Sequence, residues 1–229
     1  MSLEQVRKAL KQAADPVRAE GSRRYFKDPV GDTFLGVNTS QCRQIAKTFC
    51  DLPLTEVERL MRSGIHEERS LSHMILGERY RKGDLRQKKQ IYDLLMKNRR
   101  TLQTWDAVDG TAPSIVGPHL LNRDKTILYK LARSRVLWDR RIAMVATLYF
   151  IRNNRTEDTF SIAEMLLEDE EDLIHKATGW MLREAGKKDL AALETFLKKH
   201  YSRLPRTSLR YAIERFPEKK RKAFLSGAF

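Results

Sequence analysis

One pattern recurs along this chain and limits what it can fold into. A short polar or charged opening runs into an apolar segment with helical spacing, again and again. Glu67-Glu68-Arg69-Ser70-Leu71-Ser72-His73-Met74 is one such unit, and Trp105-Asp106-Ala107-Val108-Asp109 opens the next. Asp139-Arg140-Arg141-Ile142-Ala143-Met144, Ile174-His175-Lys176-Ala177-Thr178-Gly179-Trp180 and Pro205-Arg206-Thr207-Ser208-Leu209-Arg210-Tyr211 follow. Successive starts lie 38, 34, 35 and 31 residues apart. One helix pair cannot bury its own apolar face, so such units are stable only when neighbours stack in series. The pattern predicts an all-α chain, a helical-repeat solenoid whose curved inner side presents equivalent helices to an elongated ligand.

Local signals agree. Ile142, Val145, Ala146, Tyr149 and Phe150 fall on one helical stripe. Asp15-Pro16 sets a capping residue before a proline at the first helical position, and Thr39 precedes another helix. Gly64, Gly83 and Gly186 read as helix stops. Alternating strand patterns with Asn-Gly or Asp-Gly turns are scarce. Glycine and proline, 11 and 7 of 229 residues, fall below the average usage of roughly 12% together. The repeat period is shorter than the roughly 40–47 residues of HEAT repeats, so the units are HEAT-like. Residues 1–229 read as a single HEAT-like domain (an α-α superhelix) with a basic concave face and a basic, partly irregular end at 217–229.

The formal net charge of +14 speaks to partners rather than to fold. Arg79 to Arg100 carries nine Lys/Arg against Asp84 and Asp93, and Lys198 to Lys222 carries ten against Glu214 and Glu218. Thr156 to Asp172 has eight acids and no base. A positive face with a negative edge is one arrangement of these stretches. Such a face binds polyanions, most simply DNA or RNA, although an acidic protein or an anionic membrane surface also fits the count.

Several chemistries are excluded by absent motifs. There is no G-x-x-x-x-G-K-[ST], G-x-G-x-x-G, H-E-x-x-H or C-x-x-C. The five histidines, His66, His73, His119, His175 and His200, are scattered. No metal and no cofactor are expected. Cys42 and Cys50 read as free buried thiols of a reducing compartment. The longest largely apolar run, Ala143 to Ile151, has nine residues, against the roughly 20 that a membrane span needs. With a polar, charged N-terminus the expectation is a cytoplasmic protein that does not engage membranes.

Carboxylates, aromatics and arginines remain as chemical tools. Trp105 and Asp109 stand side by side on a helix at i and i+4, with Val108 turned to the core. Taken singly, Trp105, Trp138 and Trp180 read equally well as fillers between helices, and Asp109 as an exposed acid.

Trp105-Asp106-Ala107-Val108-Asp109 resembles the W-D-x-V-D motif of the AlkD-type DNA alkylation-repair glycosylases, a HEAT-like family. Tyr25-Phe26-Lys27 followed by Phe34-Leu35-Gly36-Val37-Asn38-Thr39 is similar to that family's N-terminal Tyr and F-L-G-I-x-T segment. Trp138-Asp139-Arg140-Arg141 resembles its W-x-x-R helix start, and Lys176 to Glu184 its K-A-I-G-W-x-L-R-E segment. The matches keep their order over about residues 1–216.

The resemblance implies a monofunctional glycosylase that excises N3- and N7-alkylated purines from duplex DNA, acting as a monomer and without flipping the base. Asp109 matches the carboxylate that stabilises the developing sugar cation. Trp105 and Trp180 match indoles facing the deoxyribose, and Arg141 a phosphate clamp. Tyr25, Asn38, Thr39, Arg140 and Lys176 are implied DNA contacts. Asn38 stands where the compared relative has Gln, and Asp139-Arg140 adds a charge pair before Arg141, leaving either arginine as the clamp. A non-catalytic scaffold for damaged or branched DNA is the alternative.

Overall fold

A computed structural model describes residues 1–26 and 31–229. The described chain forms two compact units, Met1–Ile115 and Val116–Phe229. Both are built of helices. Among the described residues the one extended pairing is a single parallel bridge between Thr33 and Ile65.

The first unit contains α1 (Leu3–Gln12), α2 (Pro16–Tyr25), α3 (Thr39–Thr48), α4 (Leu54–Met61), α5 (His66–Lys82), α6 (Leu85–Lys97) and α7 (Trp105–Thr111). Helix α5 is its centre and packs against α1, α3, α4, α6 and α7. Leu71, Ile75 and Leu76 of α5 are fully enclosed. The two residues of the bridge pin the extended stretch before α3 to the start of α5, with Thr33 N–H on the Gly64 carbonyl and His66 N–H on the Thr33 carbonyl, both at 2.9 Å.

The second unit contains α8 (Gly117–Leu120), α9 (Thr126–Ala132), α10 (Leu137–Arg152), α11 (Glu157–Met165), α12 (Asp172–Gly186), α13 (Leu190–Lys199), α14 (Arg206–Ala212) and α15 (Glu218–Ser226). Helices α10, α12 and α14 pack in sequence, with α9, α11 and α13 against their other sides. The all-α repeat is thus present. The five openings read from the sequence fall within two residues of the starts of α5, α7, α10, α12 and α14.

Several local expectations are corrected. The stripe on α10 is wider than the sequence implied. Ala143, Met144, Thr147 and Leu148 are buried as well, whereas Tyr149 is half-buried. Contacts with α8, α9, α11 and α12 leave this helix little solvent-facing surface. Asp15 caps α2 as expected, accepting from Val17 and Arg18 N–H. The cap of α3 is Asn38 rather than Thr39, because Gln41 lies three residues beyond Asn38 and closes a reciprocal capping box. Gly83 ends α5 in an extended conformation. Gly186 is the last residue of α12 and the chain stays helical at Lys187; its role is to leave space for Leu193 of α13. Residues 217–229 are mostly helical, since Phe224 of α15 is buried against Phe216 and Phe229 and Gly227 closes the helix at φ +77°. Cys42 is buried, but Cys50 is only partly so. Among the described residues no helix is long and apolar enough to cross a membrane.

Helix α12 approaches α14 closely at Gly179. A Cβ at Gly179 would lie 2.5 Å from both the Ser208 carbonyl oxygen and the Tyr211 Cβ. Both neighbours belong to packed backbone or its first side-chain carbon, so neither yields easily. Gly179→Ala is expected to destabilise by about 1–3 kcal/mol in urea unfolding. Gly21→Ala, in mid-α2 with nothing near its Cβ position, is expected to stabilise by about 0.5–1 kcal/mol.

Candidate functional site

Helix α7 carries the residues singled out above. Trp105 is its first residue and Asp109 its fifth, so both lie on one face a turn apart. Both are half-exposed, while Val108 is fully buried and anchors the helix. The helix is short because Pro113 lacks the N–H that would bond the Asp109 carbonyl. The chain continues as a π-helical turn, Ala112–Val116. The hydroxyls of Thr111 and Ser114 take up slack carbonyls, donating to Ala107 at 2.7 Å and Gly110 at 2.5 Å.

Trp105 is held from behind. Its indole stacks on Phe26, with centroids 5.7 Å apart and planes 16° from parallel. Phe26 lies 4.5 Å from the His66 ring and 5.5 Å from Phe34, which itself stacks on His66 at 4.9 Å. Tyr25, 75% exposed, approaches the same indole at 6.3 Å. Beside Trp105, Asp106 turns inward. His66 Nε2 lies 3.1 Å from Asp106 Oδ2 and the Ser70 hydroxyl donates to that oxygen at 3.4 Å. Burial pushes the Asp106 carboxyl up, yet the bonds and charge of His66 and the Thr104 hydroxyl outweigh it, so the group sits below its ordinary range.

The remaining expected residues divide between the units. Asn38 and Thr39 start α3; the Asn38 amide oxygen is used to cap that helix at 2.9 Å from Gln41 N–H, and Thr39 is exposed. Lys27, part of the matched N-terminal segment, lies outside the described residues. In the second unit Arg140 is committed internally. Its guanidinium meets Asp169 at 2.5 and 3.2 Å and the Ser134 carbonyl at 3.0 Å. Arg141 is 5% exposed and donates to the Leu173 carbonyl at 2.5 Å. Lys176 pairs with Asp172 at 2.7 Å, and that bond raises its pKa. Trp180 is half-exposed at the ninth position of α12. The three tryptophans therefore do not share one repeat position. Trp138, second in α10, is the counterpart of Trp105.

The sequence profile of the DNA alkylation repair enzyme family matches residues 6–216. This chain belongs to that family. An enzyme of this family acts on DNA, so the basic excess has its partner. No protein of curated function matches this sequence significantly. Among solved structures, a protein from Enterococcus faecalis described as a predicted DNA alkylation repair enzyme superposes with a TM-score of 0.73. It is 18% identical, and the match covers 90% of this chain and 97% of that one. At that identity the likeness concerns the fold.

In this repair-family chain the residues that sequence reasoning passed over are those gathered at the start of α5. His66 was one of five scattered histidines, and Glu67 and Arg69 were merely polar openers. Glu67 accepts the Leu35 and Gly36 N–H groups at 2.9 and 2.8 Å, and Arg69 pairs with Asp32 and donates to the Ser63 carbonyl at 2.8 Å. The available signal was that four ionisable residues, His66 to Arg69, open a helix that must lie in the core.

His73, two turns along α5, is enclosed, and neither ring nitrogen has a hydrogen-bond partner among the described residues. Burial lowers its pKa from 6.5 to about 4; Asp106 opposes this, and Arg69 and His66 add to it. The unfolded chain therefore takes up this proton first as pH falls. Stability present above pH 6.5 is lost between 6.5 and 4. Wild type should lose about 2 kcal/mol between pH 7 and 4.5 that His73→Leu retains, read by urea unfolding at both pH values. Parallel losses would mean that His73 does not govern the acid limb.

Proposed function

We propose that this enzyme is a monofunctional DNA glycosylase that hydrolyses the N-glycosidic bond of cationic N3- or N7-alkylated purines in duplex DNA. The observation that carries the reading is the pairing of a half-exposed indole and a half-exposed carboxylate, Trp105 and Asp109, one turn apart on α7 of a DNA alkylation repair family member. Alkylation at N3 or N7 makes the purine a cation, so it leaves as a neutral base without taking up a proton. The demand shifts to the deoxyribose, where positive charge grows at C1′ as the bond breaks.

A fixed carboxylate beside C1′ stabilises that charge and orients the attacking water. Asp109 has this role. The water oxygen bonds to C1′, the electron pair of the broken bond stays on the purine, and the water's surplus proton passes to solvent. Electron-rich indole faces add about 0.5–2 kcal/mol each against a cation, which assigns Trp105 and Trp180. Arg141 holds backbone phosphate through charge-assisted bonds, which fix register without reading sequence. Arg140 is the weaker candidate, because a phosphate would have to compete with Asp169. Tyr25, Asn38, Thr39 and Lys176 contact DNA without taking part in bond breaking. The lesion is read while still stacked, and the enzyme works as a monomer.

Asp109→Asn is expected to lower single-turnover release of 7-methylguanine from methylated duplex DNA by about 10²–10³-fold, with DNA affinity largely kept. Chromatography of the released base reads the first quantity and fluorescence anisotropy the second. Near wild-type release by this variant removes Asp109 from the mechanism, and no release by wild type reduces the chain to a DNA-binding scaffold.

A further inference from the structure

We infer that His66 is a positioning residue for the indole of Trp105. The inference rests on the reading of Trp105 as a group that meets the deoxyribose, and it concerns residues of the first unit alone. His66 opens α5, is 8% exposed, and touches Asp106 of α7 and the rings of Phe26 and Phe34 at once. Its Nε2 is 3.1 Å from the Asp106 carboxylate, in the residue next to Trp105. Its Nδ1 faces Asp32 at 3.6 Å. Its ring lies against Phe26 and Phe34, and Phe26 in turn carries the indole.

These contacts restrain Trp105 in two independent ways. The bond to Asp106 fixes the first turn of α7, where the backbone N–H groups lack helical partners and the helix is otherwise freest to fray. No side chain caps that turn in the usual manner, and the His66–Asp106 contact is a side-chain restraint on it. The Phe26 ring then fixes the plane of the indole, because an offset stack resists tilting of either ring. A charge-assisted bond in a buried setting is stronger than a neutral one, and Asp106 is held ionised to make it. His66 touches neither DNA nor Asp109 on this reading. It acts by keeping one face of Trp105 committed to Phe26, so that the opposite face is presented in a constant orientation.

Two variants separate the restraints. His66→Phe keeps a ring against Phe26 and Phe34 but loses the bond to Asp106. His66→Gln keeps a donor within reach of Asp106 but loses the ring. With 5-fluorotryptophan incorporated, the protein gives one fluorine resonance per tryptophan, and Trp105→Phe identifies that of Trp105. Both variants are expected to shift or broaden the Trp105 resonance and to leave those of Trp138 and Trp180 in place. Single-turnover release of 7-methylguanine is expected to fall about ten- to a hundredfold in His66→Phe, the scale of a misplaced reacting group. The loss in His66→Gln should be smaller, and affinity for undamaged duplex should stay within about twofold.

A merely structural role predicts lower thermal stability with all three resonances moved and release unchanged in single turnover; that result overturns the inference. An unmoved Trp105 resonance overturns it too. Should wild type release no base, the glycosylase reading fails, while the fluorine spectra still decide whether His66 sets the indole.

Discussion

Four consecutive ionisable residues at the start of one helix, three buried and Arg69 half-buried, govern the first unit. An ion taken from water without a partner costs several kcal/mol, so each of these residues recruits one from elsewhere. Glu67 takes two backbone N–H groups from the extended stretch before α3, at Leu35 and Gly36. Glu68 takes the guanidinium of Arg7 from α1 at 3.0 and 3.2 Å. Arg69 pairs with Asp32, and His66 with Asp106 of α7. The start of α5 thereby ties down α1, the extended stretch and α7. Acids in the first turn also favour the positive end of the helix dipole, so Glu67 and Glu68 suit their own helix while serving other segments. Gly36 belongs to the same knot. Its φ of +77° and its contact with Asp15 at the cap of α2 leave no space for a Cβ, and its carbonyl accepts from Arg18 at 2.9 Å.

Local features were legible to the degree that their causes are local. Helix starts could be read because a polar opening before an apolar segment reflects the same capping and burial preferences in every repeat. Thr39 and Asn38 are both capable caps, and the choice between them lay in the side chain of Gln41, three residues on, which only Asn38 can pair reciprocally. The position of each tryptophan in its helix was harder. Trp105 is the first residue of α7 and Trp180 the ninth of α12, a difference that spacing between repeats does not carry because it depends on where each helix begins. The His66–Asp106 bond was not legible. The partners are 40 residues apart, and although Asp106 lies within the W-D-x-V-D stretch, nothing in that stretch ties it to His66.

The charge pattern also has a different meaning in three dimensions. The acidic stretch from Thr156 to Asp172 suggested a negative edge opposite a positive face. In the second unit five of its eight acids instead neutralise bases drawn from other turns. Asp158 meets Lys125, Glu164 meets Lys199, Glu168 meets Arg203, Asp169 meets Arg140, and Asp172 meets Lys176. Most of these pairs are exposed and contribute little to stability. The Arg140–Asp169 pair is the least exposed of the five, and it distinguishes two arginines that the sequence left equivalent. Arg140 is held by a carboxylate, whereas Arg141 donates to the Leu173 backbone carbonyl.

On the proposed chemistry, this division of labour follows from the substrate. A base that is already cationic needs no acid, so the protein is asked only for an electrostatic field at the sugar. Coulomb energy varies as the inverse of distance and of effective dielectric, and an indole face attracts a cation only over a narrow range of height and tilt. With one carboxylate and a few rings as the whole apparatus, small displacements are not made good by a second catalytic group. Precision must then come from the scaffold. A short helix started by Trp105, ended by Pro113 and held at its first turn by the half-buried Asp106 presents few degrees of freedom. On that proposal, the charges at the start of α5 bear on the reaction through the residues that they hold in place.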